Sequence, residues 1–146
     1  MERMWDKAVK TLAAIGGAVA GAMGGWDLLL RVLVTLMAAD YLSGLVVALM
    51  GKSPKTEYGG LSSKAGAAGL ARKGLMLLVV LVASLVDQAL GMENAMCRDA
   101  ACWFYIANEG ISILENVGLA GAPYPGKLKE LLGQKLKEDA SHVGKT

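Results

Sequence analysis

The sequence predicts an all-α integral membrane protein. Three to four transmembrane helices are expected, four being favoured, with a short C-terminal amphipathic helix in the cytoplasm. Three observations lead there. Of the 146 residues, 54% are hydrophobic, and the mean hydropathy of +0.43 is above that of ordinary soluble domains. The charged residues, 19% of the chain, lie mostly outside four apolar runs. Glycine, at 19 residues, concentrates inside those runs, where membrane helices tolerate it and use it for close packing. The whole chain, 1–146, reads as one membrane domain.

The first run spans about 8–25 and is bracketed by Trp5 and Trp26, as at the aromatic belts of a bilayer. At 1.5 Å per residue it is about 27 Å long, just enough for the hydrocarbon core. Gly17, Gly21 and Gly25 recur every four residues, a row that lets helix backbones approach closely. Arg3, Lys7 and Lys10 ahead of an apolar stretch also fit a cleavable signal peptide. The shortage of Leu and the glycine period favour a helix that stays.

The second run, about 28–50, is the strongest span and places Asp40, Ser43, Gly44 and Val47 on one face. Its carboxyl thus sits beside small residues that can meet a neighbour. From Gly51 to Lys73 the chain is rich in Gly, Ser and Lys. A loop followed by an interfacial helical stretch is expected there, with a re-entrant segment as the alternative. The third run, about 74–90, follows Arg72 and Lys73 and carries Asp87 near its far end.

The fourth run, about 100–119, is apolar but contains two glutamates, two asparagines and a serine. At about 100° per residue, Tyr105, Asn108, Ser112, Glu115 and Asn116 share one side, with Glu109 at its margin. This is a membrane helix with a wet face, and it suggests assembly around water or around other helices. Pro123 and Pro125 then stop regular structure. In the tail, about 124–146, residues 127–137 read as a short amphipathic helix with Leu128, Leu131, Leu132 and Leu136 on one side, and the end from Ser141 as frayed.

Several function classes are excluded. One His and two Cys argue against a multi-ligand zinc site. No phosphate-binding loop, nucleophile elbow or metalloprotease motif is present. A net charge of +2 is too small to imply nucleic-acid binding. No catalytic, cofactor-binding or metal-ligating set is expected, and the chain is not expected to be an enzyme.

Charge distribution sets the topology. Lys and Arg cluster at the N-terminus, between runs two and three, and in the tail, whereas the 91–99 connection has only Arg98. By the positive-inside rule, all three basic regions lie in the cytoplasm only if there are four spans with both ends inside. Three spans, with the first run on the outer surface or removed, is the alternative. Cys97 and Cys102 then fall at the outer face, either as a disulfide clip or as two small apolar residues at a helix start.

The acids pose the main energetic problem. Asp40, Asp87, Glu109 and Glu115 lie in or near the spans, while the only base placed similarly is Arg31. A charged residue at a helix centre costs about 2.5–3.5 kcal/mol on insertion scales. Asp87 and Glu115 lie near segment ends, at an interface. Asp40 and Glu109 are central and need protonation or polar partners; a hydrogen-bonded packing contact is the plain reading of each.

On these residues the chain resembles the phage lysis and toxin-secretion holins. The resemblance covers nearly the whole length. It rests on Asp40 to Ala48, on Ser62 and Ser63 through Gly69 to Arg72 and Lys73, and on Asp87. Its strongest part is Phe104 to Asn116, followed by Gly121, Pro123, Pro125 and the Leu/Lys tail. It implies a protein that accumulates in the bacterial cytoplasmic membrane, oligomerises, and at a set time opens lesions that release an endolysin or a toxin. The implied partners are the bilayer, further copies of the chain and an endolysin, with an antiholin also admitted. The expected mechanism has two states: polar faces of runs two and four buried against each other with some carboxyls protonated, then turned to water. Asp40, Ser43, Gly44, Asp87, Asn108, Glu109, Ser112, Glu115 and Asn116 are the pore or assembly candidates, and Gly17, Gly21 and Gly25 the helix-packing candidates. A small ion or proton channel and an antiholin-like regulator are the competing readings.

Overall fold

The computed structural model describes residues 1–143, and the side chains of Leu136 and of residues 139–143 fall outside that description. It is all-helical: α1 (Glu2–Ala22), α2 (Leu28–Leu49), α3 (Ser63–Ala89), α4 (Met96–Leu119) and α5 (Gly126–Val143). No strand occurs among the described residues. Two of these helices, α2 and α3, are long and apolar enough to cross a membrane. Most of their apolar surface stays exposed, including Leu42, Leu45, Val46 and Leu49 on α2 and Leu75, Leu78, Val82 and Leu85 on α3. Core helices of a soluble domain would bury such residues, so this surface needs lipid or other helices around it.

α4 is the hub, packed against α2, α3 and α5, whereas among the described residues α1 touches only α3. The helices alternate in direction. The end of α1 and starts of α2 and α4 meet the end of α3 at one end of the bundle, the Asp87 end. The buried core lies between α2, α3 and α4: Leu30, Leu33, Met37, Met76, Val80, Cys102 and Ile106, with Met23 from the α1–α2 turn. In lipid these contacts are held by close packing, because a bilayer is as apolar as leucine.

Local chemistry sets the helix starts. The Asp27 carboxylate accepts from Leu30 N at 2.9 Å, and the Ser62 hydroxyl accepts from Ala65 N at 3.3 Å, satisfying amides that a helix start leaves unpaired. The Ser62 cap corrects the sequence expectation: α3 begins at Ser63, eleven residues before the apolar run, so Arg72 and Lys73 lie within the helix and not at its threshold. The small residues there have a packing reason. A Cβ at Gly66 would lie 3.2 Å from the Tyr41 hydroxyl, and one at Gly69 would lie 3.7 Å from the Tyr41 ring. The remaining loop folds on itself, Ser53 N donating to Gly59 O at 2.9 Å and the Thr56 hydroxyl to Gly60 O at 2.9 Å. Gly59 has φ +73°, and a Cβ there would overlap the Gly51 carbonyl, so this closure requires glycine.

α1 buries none of its residues. Nothing lies within 4 Å of a Cβ built at Gly17 or Gly21, and Gly25 lies beyond the helix, in the turn, at φ +98°. The row therefore packs no helix within the chain, and Gly25 serves the turn. α5 folds back along α4. The Leu132 side chain lies over Gly110, where a Cβ would approach Cδ1 to 2.8 Å, and the Lys135 ammonium lies 5.4 Å from the centre of the Trp103 ring. Leu128 and Leu131 stay exposed. Leu136, expected in the same stripe, lies outside the described side chains. The end expected to fray is helical to Val143, and residues 144–146 lie outside the described residues.

Candidate functional site

Below the apolar core, α2, α3 and α4 close on a polar cluster. The Lys73 ammonium of α3 donates to Asp40 Oδ2 of α2 at 2.8 Å and also to Glu109 Oε2 of α4. All three side chains are at least 86% buried, their exposures being 14%, 9% and 5%. The Asn116 amide extends the cluster, donating to Asp40 Oδ1 at 3.2 Å and to the Ser43 hydroxyl at 2.8 Å. Gly44 lies beside it, a Cβ there making an ordinary contact at 3.7 Å from Asn116 Nδ2. Asp40 follows the start of α2 by twelve residues and Glu109 follows that of α4 by thirteen, which puts the cluster about 18–20 Å from the Asp87 end.

A cleft of about 330 Å³ leads to this cluster from the 51–62 loop; Ser53, Lys55 and Thr56 line it at one end and Asp40, Lys73 and Glu109 at the other. Asn108 and Ser112 also line it. The stripe on α4 is thus split. Glu109, expected at its margin, and Asn116 are its buried edge, while Asn108 and Glu115 are exposed, and Glu115 lies 3.5 Å from Lys129 of α5.

The expectation that the central acids lack cations is overturned. Lys73 sits between Asp40 and Glu109, and Arg31, thought to be the one base placed among the spans, is exposed. Lys73 had been assigned to the basic loop. The sign missed was Ser62, a helix cap followed by an Ala-rich run, which makes Lys73 the eleventh residue of a helix.

A second cluster ties the Asp87 end. Arg98, 2% exposed, forks onto Asp27: Nη1 reaches Oδ2 at 2.7 Å and Nη2 reaches Oδ1 at 2.8 Å. It also donates to the carbonyls of Met23 at 2.6 Å and Gly25 at 3.4 Å, and to Asp99 at 3.0 Å. Gly24, at φ +89°, lets the turn pass the guanidinium, since a Cβ would come within 2.8 Å of Arg98 Nε. Asp87 caps α4 from the end of α3, accepting from Cys97 N at 3.0 Å and Arg98 N at 2.8 Å. Asp87 therefore fixes the α3–α4 turn. Cys97 and Cys102 are free, and Cys102 belongs to the apolar core.

The Arg98 guanidinium, hydrogen-bonded to Asp27, holds that carboxyl below its ordinary range. A lowered folded value means the unfolded chain takes up the proton first, so stability rises with pH across that window. The contribution is complete at neutral pH and is lost as pH falls below about 4, the ordinary aspartate value. Relative to each protein's stability at neutral pH, acid unfolding followed by circular dichroism should start at higher pH in the native chain than in Asp27→Asn, which lacks this pH-dependent contribution.

The bacteriophage holin family matches residues 17–138, most of the chain. The chain belongs to the bacteriophage holin family. It is 33% identical over 122 residues to a probable holin of Bacillus phage phi105, covering 79% of this chain and 84% of that one. It is also 38% identical over 123 residues to an uncharacterized 14.9 kDa protein from the nagH 3′ region of Clostridium perfringens, covering 84% and 88%. An uncharacterized protein of Listeria innocua is 44% identical over 117 residues, covering 80% and 78%. No solved structure matches the chain significantly. This holin is accordingly a non-enzymatic membrane protein.

Proposed function

We propose that this holin crosses the bacterial cytoplasmic membrane with α1 to α4, both ends in the cytoplasm. Its copies assemble there and open lesions that release an endolysin, or a toxin, at a set time. The observation that carries this reading is the buried Asp40–Lys73–Glu109–Asn116 cluster beneath α2 and α3, whose outward faces are apolar. Polar groups on three helices turn inward and pair with one another, which lets a protomer reside in lipid without lining a pore. The same groups, with Asn108 and Ser112 beside them, line water once the helices exchange these partners for copies of the chain. In this reading the basic 51–62 loop lies on the cytoplasmic side, and α5, packed along α4 as far as Trp103 in this structure, leaves α4 for the cytoplasm when the span is in lipid.

A channel through one protomer is disfavoured by the apolar core between the polar cleft and the Arg98 cluster, formed by Leu30, Leu33, Met37, Met76, Val80, Cys102 and Ile106. It spans about 10 Å along α2, from Leu30 to Met37.

Inducing the chain in bacteria, alone and with an endolysin that lacks its own export signal, tests the proposal. Growth arrest and collapse of membrane potential, with lysis only when the endolysin is present, is the expected outcome. Ion leakage without lysis would point to a channel, and no effect to a regulator. Asn108→Leu, which removes an exposed polar group from the cleft, should delay lysis while leaving membrane insertion intact. Glu109→Leu should delay or abolish it. Native timing in both would take the α4 stripe out of the mechanism.

A further inference from the structure

The polar cluster is not electrically balanced. Two carboxylates and one ammonium leave one negative charge inside the bundle. The two acids are not equivalent. Asp40 has a donor on each oxygen, Lys73 on one and Asn116 on the other. Glu109 is bonded through Oε2 alone, and its Oε1, on a side chain only 5% exposed, meets no hydrogen-bond donor among the described residues. A buried carboxylate oxygen without a donor is costly, and neutralising the group removes that cost. The other groups facing this space are Tyr41 from α2, Arg72 from α3 and Lys55 from the loop, with the neutral Asn108, Ser112 and Asn116. Arg72 and Lys55 are exposed and in reach of water. Among the described residues α5 contributes none that line the cleft, its Lys129 pairing with Glu115 outside it.

We propose that Asp40, Lys73 and Glu109 form a binding site for a single proton, reached through the cleft from the 51–62 side, and that this proton keeps the protomer closed. Glu109 holds the proton, because both oxygens of Asp40 are already engaged by Lys73 and Asn116. With the proton bound, the cluster is neutral and α3 is held between α2 and α4. Without it, the uncompensated charge favours entry of water along the cleft and separation of those helices. The apolar core closes the other route, so the pH on the loop side sets occupancy. Alkaline pH on that side therefore favours the open form. This rests on the membrane-bundle reading above.

Two measurements on the full-length protein in lipid test it. Infrared difference spectra at neutral pH should show the C=O stretch of one protonated carboxyl, absent in Glu109→Gln and retained in the distant Glu2→Gln. Liposomes loaded with a fluorescent dextran should release it faster as pH rises, by up to about tenfold per pH unit for one linked proton. Glu109→Gln, fixed in the neutral form, should release slowly without that slope. A missing carboxyl band in the native protein, or an unchanged slope in Glu109→Gln, overturns the proton site and leaves the holin reading intact. A carboxyl band with no dextran release at any pH supports the site and counts against the holin reading instead.

Discussion

Lys73→Met is expected to be the most damaging single substitution in this protein. It leaves Asp40 and Glu109 facing each other across the bundle with no cation between them. Removing one member of a buried ionic cluster typically costs about 3–5 kcal/mol, chiefly because the remaining charges lose their partner. That is a large share of the stability of a 146-residue chain. The variant should accumulate poorly in membranes and unfold at lower temperature or denaturant. The triple variant Lys73→Met, Asp40→Asn, Glu109→Gln keeps the shapes and removes every charge, so it should regain most of the loss. The recovery, read by thermal unfolding in detergent, separates a charge effect from a packing effect. If the single variant matched the native protein, the cluster would be incidental to the fold.

Arg98→Leu should come next. It strips the α1–α2 turn of its anchor, leaving the Met23 and Gly25 carbonyls and Asp27 without the guanidinium. The expected loss is about 2–3 kcal/mol, below the figure for a wholly buried cluster because Asp27 and Asp99 are half in solvent. Asp87 still caps α4, since it binds the backbone N–H of residue 98 whatever the side chain. The damage should therefore be confined to α1 and its turn. Limited proteolysis should cut near residues 23–27 in the variant and not in the native protein, while the α2–α4 core stays resistant. Arg98→Lys should rescue only partly, because an ammonium cannot fork onto a carboxylate.

These residues also mark the boundary between what a sequence discloses and what it withholds. Asp40, Asn116 and Glu109 attract attention in the sequence because a polar residue in an apolar run is conspicuous by itself. Lys73 and Arg98 do not, because each sits where a membrane protein ordinarily keeps its boundary charges, beside a run and in a turn. Lys73 was counted with the cytoplasmic loop on that ground. Its partners lie 33 and 36 residues away, and Asp27 is 71 residues from Arg98. Only packing of separate helices decides whether such a side chain turns inward. The glycines divide in the same way. The period of Gly17, Gly21 and Gly25 promised a packing face, yet neither helical member of the row has a neighbour. Gly66 and Gly110, without an obvious period, are among those pressed by a neighbour, Tyr41 and Leu132 respectively.

By itself, then, the sequence determined the helical class, the apolar lengths, the stop at the prolines and the polar residues that need an explanation. These are properties of neighbouring residues: turn periodicity, side-chain polarity and backbone restriction act within a few positions. The tertiary structure alone decided where the charges go. It turned Lys73 inward between two acids, placed Arg98 under the α1–α2 turn, set Asp87 on the backbone of α4, and left the α1 glycines bare. A buried charge is tolerated only where opposite charges and donors converge from several helices, and that convergence depends on how the helices meet.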